Sequence, residues 1–213
     1  MKHRVVVGIS GASGAVIGVK VLELLAANGV ETHLVVSRAG RLTLEQEVGP
    51  GAFTVLRERA SVVHPIGDIG ASIASGSFRT SGMIVAPCSM RTLGAIAASL
   101  ADNLLIRAAD VQLKERRRLV LLARETPLHL GHLRAMVAAT EMGAIIAPPV
   151  PAFYRRPQTA EEIVAAIAVR AIDLLDLGLD LDADRWAGLA PALLGRTAEH
   201  AGDEGPLEQQ IGQ

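Results

Sequence analysis

Arg4-Val-Val-Val-Gly-Ile-Ser-Gly-Ala-Ser-Gly14 is the stretch that decides the fold. A β-branched run over residues 4–9 passes directly into glycines at 8, 11 and 14 and serines at 10 and 13. Helical apolar spacing follows over residues 15–28, and Gly29 supplies a stop. Strand, glycine turn and helix form the first unit of a nucleotide-binding α/β fold. Glycines let the backbone turn tightly and approach a phosphate, and a helix N-terminus offers it free N–H donors. The spacing is not the dinucleotide fingerprint G-x-G-x-x-G, because residue 10 is Ser, and no Walker lysine follows. The turn therefore reads as a phosphate cradle or as a plain tight βα turn. The serine hydroxyls, extra donors beside the amides, favour the cradle.

Working outward, strand-length and helix-length apolar runs alternate. Strands are expected at residues 4–9, 31–36, 61–66, 83–87, 118–123 and 144–147. Helices are expected at 15–28, 38–48, 93–100, 103–115, 128–142 and 159–177. Thr159 and Glu162 form a capping-box pattern at the start of the last. Residues 70–82, rich in Ser, Gly and Ala, read as a mobile loop. Alternating strands and helices predict a three-layer α/β architecture, a doubly wound parallel sheet with helices on both faces. Residues 1–186 read as one domain and 187–213 as a polar, poorly ordered tail.

Composition excludes several function classes. A net charge of −1 argues against a nucleic-acid surface. The single cysteine, Cys88, excludes an internal disulfide framework and fits a reducing cytoplasm. No signal peptide and no apolar run of membrane-spanning length is visible. The chain has one Tyr and one Trp, Tyr154 and Trp186, so each calls for a reason: packing, or an aromatic wall around a planar or unsaturated ligand.

In an open parallel sheet, ligands bind beyond the carboxyl ends of the strands. That rule selects residues 8–13, Ser37, residues 87–92, Arg124 with Glu125, and residues 148–154. Together they offer hydroxyls, amides, an arginine, a carboxylate and a tyrosine, which suits a phosphorylated, partly apolar ligand. Ser89, Arg91 and Thr92 open a helix, either as a simple N-cap or as a second anion-facing terminus. Arg124 and Glu125 read as a phosphate-binding guanidinium beside a general acid/base, or as a surface ion pair. Lys114 and the arginines after it form a solvated helix end or deliver cations to a phosphate, and Arg107 shares their helical face. His129 and His132 find no third ligand nearby and read as packing or surface residues, and Cys88 as a small buried thiol.

The segments GISGASGA, ASGSF, APCSM with RTL, ADNLLIRAADVQLKERRRLVL, ARETPLHLGHL and PPVPAFYRRPQT, taken together over residues 3–186, resemble the UbiX-type flavin prenyltransferases. The resemblance implies a flavodoxin-like or Rossmann-like flavoprotein assembled as a homododecamer. It implies transfer of a dimethylallyl group from dimethylallyl monophosphate to reduced FMN without a metal. The product, prenylated FMN, serves a UbiD-type decarboxylase, including the one in ubiquinone biosynthesis. By resemblance, Gly11, Ala12, Ser13, Ser37, Ser89, Met90, Arg91, Thr92 and Arg124 contact FMN. Tyr154 and Arg170 hold the prenyl phosphate, Arg107 and Lys114 reach it across a subunit boundary, and Trp186 lies near the substrate. Ser13, Glu47 and Glu125 match positions tied to catalysis. Ile17 stands where many relatives carry Tyr. Two other readings are an FMN-dependent cysteine decarboxylase and a non-catalytic FMN carrier. Residues 87–93, PCSMRTL, lack the Asn and Trp of the first, and a second phosphate-binding set is superfluous for the second.

Overall fold

The computed structural model describes residues 3–181. Six parallel strands form one sheet: β1 (Arg4–Ile9), β2 (Glu31–Val36), β3 (Val62–His64), β4 (Gly82–Cys88), β5 (Leu119–Ala123) and β6 (Ala144–Ile146). Their order is β3-β2-β1-β4-β5-β6, the Rossmann arrangement. The winding reverses between β1 and β4, which pair from Val5 with Gly82 to Gly8 with Val85. β1 and β4 are central and buried almost end to end, so their apolar residues run without alternation.

Helices cover both faces. On one lie α1 (Ala15–Ala27), α2 (Arg38–Glu47), α3 (Ala52–Arg59) and α7 (Ala160–Asp173), packed on Val5, Val7, Leu34 and Ile84. On the other lie α4 (Met90–Ala97), α5 (Leu104–Lys114) and α6 (Leu130–Glu141), packed on Val6, Val35, Met83 and Val85. Consecutive strand residues thus feed opposite cores, as the period of two requires. Thr159 caps α7 by accepting from the Glu162 amide at 3.2 Å, while the Glu162 carboxylate accepts from the Gln158 amide at 2.8 Å. The reciprocal half of the capping box is displaced by one residue.

Two expectations are corrected. Helix α3 occupies a stretch where no element was expected, opening after Gly51 (φ 81°) and burying Leu56 against the sheet. Residues 70–82 are strapped down. Arg117 donates to the carbonyls of Gly76 (2.6 Å) and Phe78 (2.9 Å), Arg107 Nε donates to that of Ala74 (3.1 Å), and Ile73 is buried. The Phe78 ring lies under the Arg4 guanidinium, 4.4 Å away, and edge-on to His33.

At the amino ends of β1 and β2, Arg4 Nε donates to Glu31 Oε1 at 2.7 Å, and this bond is the main cause holding the Glu31 carboxyl down at about 2. His33 Nε2 stands 3.0 Å from Glu31 Oε1, and His33 Nδ1 stands 2.9 Å from His64 Nε2. An ionised Glu31 accepts, which places a proton on His33 Nε2. Burial, then the neighbouring His33, lower the His64 pKa against an opposing pull from Asp68.

Candidate functional site

The site forms where β1 and β4 end side by side. β1 stops at Ile9 and the chain turns through residues 10–14, with the Ala12 amide donating to the Ser10 carbonyl at 3.0 Å. Gly14 enters α1 at φ 105°, a left-handed conformation that glycine adopts without a Cβ penalty. A Cβ on Gly11 would lie 2.2 Å from that of Ala39, so the turn packs directly on the first turn of α2. Ser37, at the end of β2, caps α2 by accepting from the Gly40 amide at 2.9 Å. Ser89, past the end of β4, caps α4 by accepting from the Thr92 amide at 3.3 Å, and its hydroxyl stands 3.1 Å from Thr92 Oγ1. The Arg124 amide donates to the Cys88 carbonyl at 3.1 Å, bringing the end of β5 alongside. Gly11, Ala12, Ser13, Ser37, Ser89 to Thr92 and Arg124 thus all lie at the carboxyl edge of the sheet, around the point where its winding reverses.

The α1 terminus differs from the simple phosphate cradle. Glu47, from α2, accepts from the Gly14 amide at 2.9 and 3.1 Å and from the Ala15 amide at 2.8 Å. The first donors of α1 therefore already serve a carboxylate of this chain. Ser10 also departs from the sequence expectation: its hydroxyl is fully buried and bonded within the chain, facing no ligand. Ser13 is exposed on the turn. Arg124 is exposed and enters no ion pair among the described residues. Arg91 is drawn to Asp102 at 2.6 Å, a partner the sequence reading missed because it lies beyond the end of α4, in the connection to α5.

The donor set fits FMN. Turn amides, two capped helix termini and an exposed arginine supply what a phosphate and a polar ring edge accept, and the adjoining strands give an apolar floor.

Glu125 is exposed, and its Oε1 accepts from the Thr126 amide at 3.0 Å. The described residues leave this carboxylate open to solvent, without the burial that raises a carboxyl's pKa for acid/base work. Tyr154 lies in the short 3₁₀ turn Phe153–Arg155, beyond the carboxyl end of β6. Arg170 is in the last turn of α7 and pairs with Asp173 at 2.5 Å. Between them lies most of α7, ~15 Å of helix. The α7 end is fixed at the opposite edge of the sheet, where Arg118 donates to the Leu174 carbonyl at 2.9 Å and Leu175 abuts Gly82. Lys114, the last residue of α5, pairs with Glu115 at 2.5 Å, and Arg107 pairs with Asp110 at 2.6 Å. Helix α5 leads into the amino end of β5, so Lys114 also lies at that opposite edge. One protomer thus gathers the residues expected to contact FMN at one edge but keeps Tyr154 apart from Arg170 and Lys114. Trp186 and the tail at 187–213 lie outside the described residues.

Cys88 is buried, and burial pushes its thiol up to about 12, so it is no thiolate nucleophile at neutral pH. His129 accepts from the Gly131 amide through Nδ1 at 3.0 Å and lies against His132 with the rings tilted by 30°, centroids 3.5 Å apart. No group of three or more His, Cys, Asp or Glu side chains gathers for a metal among the described residues, and no helix there is long and apolar enough to cross a membrane.

The Flavoprotein family model matches residues 1–170. The flavin prenyltransferase UbiX of Thauera aromatica is 56% identical over 185 residues, which cover 87% of this chain and 94% of that protein. A crystal structure of AnUbiX (PadA1) in complex with FMN and dimethylallyl pyrophosphate superposes with a TM-score of 0.84 at 48% identity, covering 89% of this chain and 100% of that one. A dodecameric FMN-dependent UbiX-like decarboxylase from Escherichia coli O157:H7 superposes with a TM-score of 0.82 at 46% identity, covering 87% and 100%. A switch-point site built from the glycine turn and two capped helices, joined to this likeness over nearly the whole domain, places the chain in one group: it belongs to the UbiX-type flavin prenyltransferase family of flavoproteins.

Proposed function

We propose that this chain joins a dimethylallyl group from dimethylallyl monophosphate to reduced FMN, making prenylated FMN for a UbiD-type decarboxylase. The observation that carries this reading is the donor set assembled where β1 and β4 diverge, in a chain 48% identical to a protein in complex with FMN and dimethylallyl pyrophosphate. Gly11, Ala12, Ser13, Ser37, Ser89, Met90, Arg91, Thr92 and Arg124 hold the FMN. Reduced FMN, when bound, supplies the electron-rich ring that accepts the prenyl carbon.

Breaking the allylic C–O bond of the monoester dianion leaves a delocalised carbocation and, until a proton is delivered, a phosphate trianion. The phosphate needs cations and a proton. Tyr154, Arg170, Lys114 and Arg107 supply charge and hydrogen bonds to it. Glu125 gives a proton to the departing phosphate and later takes one back. Trp186 stabilises the allylic cation through its ring face. Ser13 and Glu47 act beside the turn, with Glu47 fixing the start of α1 through its bonds to Gly14 and Ala15.

Because Lys114 and Arg170 sit at the far edge of the sheet from Gly11 and Ser89, the phosphate-binding cations reach a given FMN from neighbouring subunits. A homododecamer provides those neighbours. An exposed apolar stripe on α6, Leu130, Leu133 and Val137, supports contact between copies. The cytoplasm is the compartment that suits a protein with one buried thiol.

The test is anaerobic incubation with reduced FMN and dimethylallyl monophosphate, followed by mass spectrometry of the bound flavin. A flavin heavier by one five-carbon unit is expected. Unmodified flavin from both the monophosphate and the diphosphate refutes the proposal and favours a cysteine decarboxylase or a flavin carrier.

A further inference from the structure

Ser10 occupies the position where the dinucleotide fingerprint has its second glycine, and its hydroxyl makes no bond available to a ligand. It is fully buried at the end of β1. Its Oγ donates to the Pro87 carbonyl at 3.0 Å and accepts from the Ser89 amide at 2.7 Å, while its own amide donates to the Pro87 carbonyl at 3.1 Å. Those bonds join the glycine turn to the segment that caps α4, between strands that lead the chain to opposite sides of the sheet. No other side chain among the described residues bonds both segments.

We infer that Ser10 is a positioning residue for the flavin site, holding the Ser89 cap in register with the Gly11–Ser13 amides. The inference rests on the flavin-binding reading above. A glycine at residue 10 keeps the backbone bond to Pro87 but loses both hydroxyl bonds, and the half-buried Ser89 amide is left without its acceptor. The serine gives up close approach to a diphosphate and gains a fixed distance between two anion-facing elements, an arrangement suited to the single phosphate of a mononucleotide. Replacing Ser10 therefore affects FMN more than it affects the fold.

The experiment measures FMN affinity by quenching of flavin fluorescence in the full-length protein, alongside the melting temperature. Ser10→Ala is compared with Thr32→Val. Thr32 is a matched control. It is also fully buried, its Oγ1 accepts from the Ser61 amide at 3.0 Å, and it lies near the amino end of β2, away from the site. Ser10→Ala is expected to raise the FMN Kd about tenfold, equivalent to about 1.4 kcal/mol. It should raise the apparent KM for FMN more than it lowers kcat. Thr32→Val, with a similar fall in melting temperature, should keep Kd within roughly twofold of wild type. If Ser10→Ala fails to fold, Ser10→Cys, which keeps a weaker donor and acceptor at the same place, is read in the same way with a smaller shift. Equal Kd shifts in the two variants, or no shift in the Ser10 variant, overturn the inference. Wild-type protein that binds FMN but makes no prenylated product refutes the proposed reaction and leaves the Ser10 result standing. Wild-type protein that binds no FMN overturns both.

Discussion

Replacing Glu47 tests whether a carboxylate from α2 is what starts α1. Gly14 occupies the N-cap position of α1 and has no side chain to cap with, so its own amide and that of Ala15 depend on Glu47, at 2.9 and 2.8 Å. Removing an N-cap acceptor costs about 0.5–2 kcal/mol. Removing a negative charge from a helix N-terminus costs about 0.3–1 kcal/mol more. Glu47 is exposed, so water replaces part of the lost bonding, and Glu47→Ala is expected to cost about 1–2 kcal/mol in total. For a domain of this size that lowers Tm by roughly 2–8 °C. Glu47→Gln keeps an oxygen acceptor and loses only the charge, so it should fall by roughly 1–4 °C. The Gln variant's deficit should narrow in high salt, because an exposed charge is screened, and the Ala variant's should narrow only in part. The assay is a circular-dichroism melt at one scan rate, in low and high salt, with turnover measured in parallel. An Ala variant melting within ~1 °C of wild type would refute the capping argument. A Gln variant that keeps most of its stability but loses turnover places the carboxylate in the chemistry as well.

Three further outcomes are expected. Arg117→Met removes the guanidinium that holds the Gly76 and Phe78 carbonyls, at a cost of about 2–3 kcal/mol, and limited proteolysis should then cut within residues 72–80 while wild type resists; equal resistance refutes the strap. Cys88, its thiol pushed up to about 12 by burial, should not react with iodoacetamide at pH 8 in the folded protein and should react fully in denaturant; rapid native labelling contradicts its burial. The folded-state pKa of His64 is lowered, so its contribution to stability is present above the unfolded value, near 6.5, and is lost as pH falls through the folded value. Chemical denaturation should show a midpoint falling below pH 6.5, with a shallower fall in His64→Leu, and an unchanged slope in that variant removes His64 as the cause.

Where local pattern decides structure, the sequence was legible. β1 and β2 begin and end at the expected residues, because β-branched runs are bounded there by a glycine turn and by the Ser37 cap. The caps at Ser37, Ser89 and Thr159 could be read from position alone. β3 came out at three residues against an expected six, because pairing on only one side rewards fewer of them. Helix α3 was hidden by the Gly49-Pro50-Gly51 punctuation before it, and what holds it is Leu56 in a distant core. The segment at 70–82 has the composition of a mobile loop, yet Arg117 restrains it from about forty residues away, a contact no local window contains. The same limit applies to the site. Strand ends named the region of the candidate site, but Glu47 reaches Gly14 only because α2 packs beside α1, and Ser10 turns inward only because β4 ends next to β1. The opposed positions of Tyr154 and Arg170 follow from the direction of α7, which the order of elements already implied.

Both outer strands of the sheet are only three residues long, Val62–His64 and Ala144–Ile146. Each therefore exposes very few unpaired amides and carbonyls along its free margin, too few to template a further strand. Growth of the sheet by pairing between molecules is disfavoured at both ends. Among the described residues, the surfaces left for joining copies are side chains on helices and loops, which suits a closed shell of defined size and disfavours fibres.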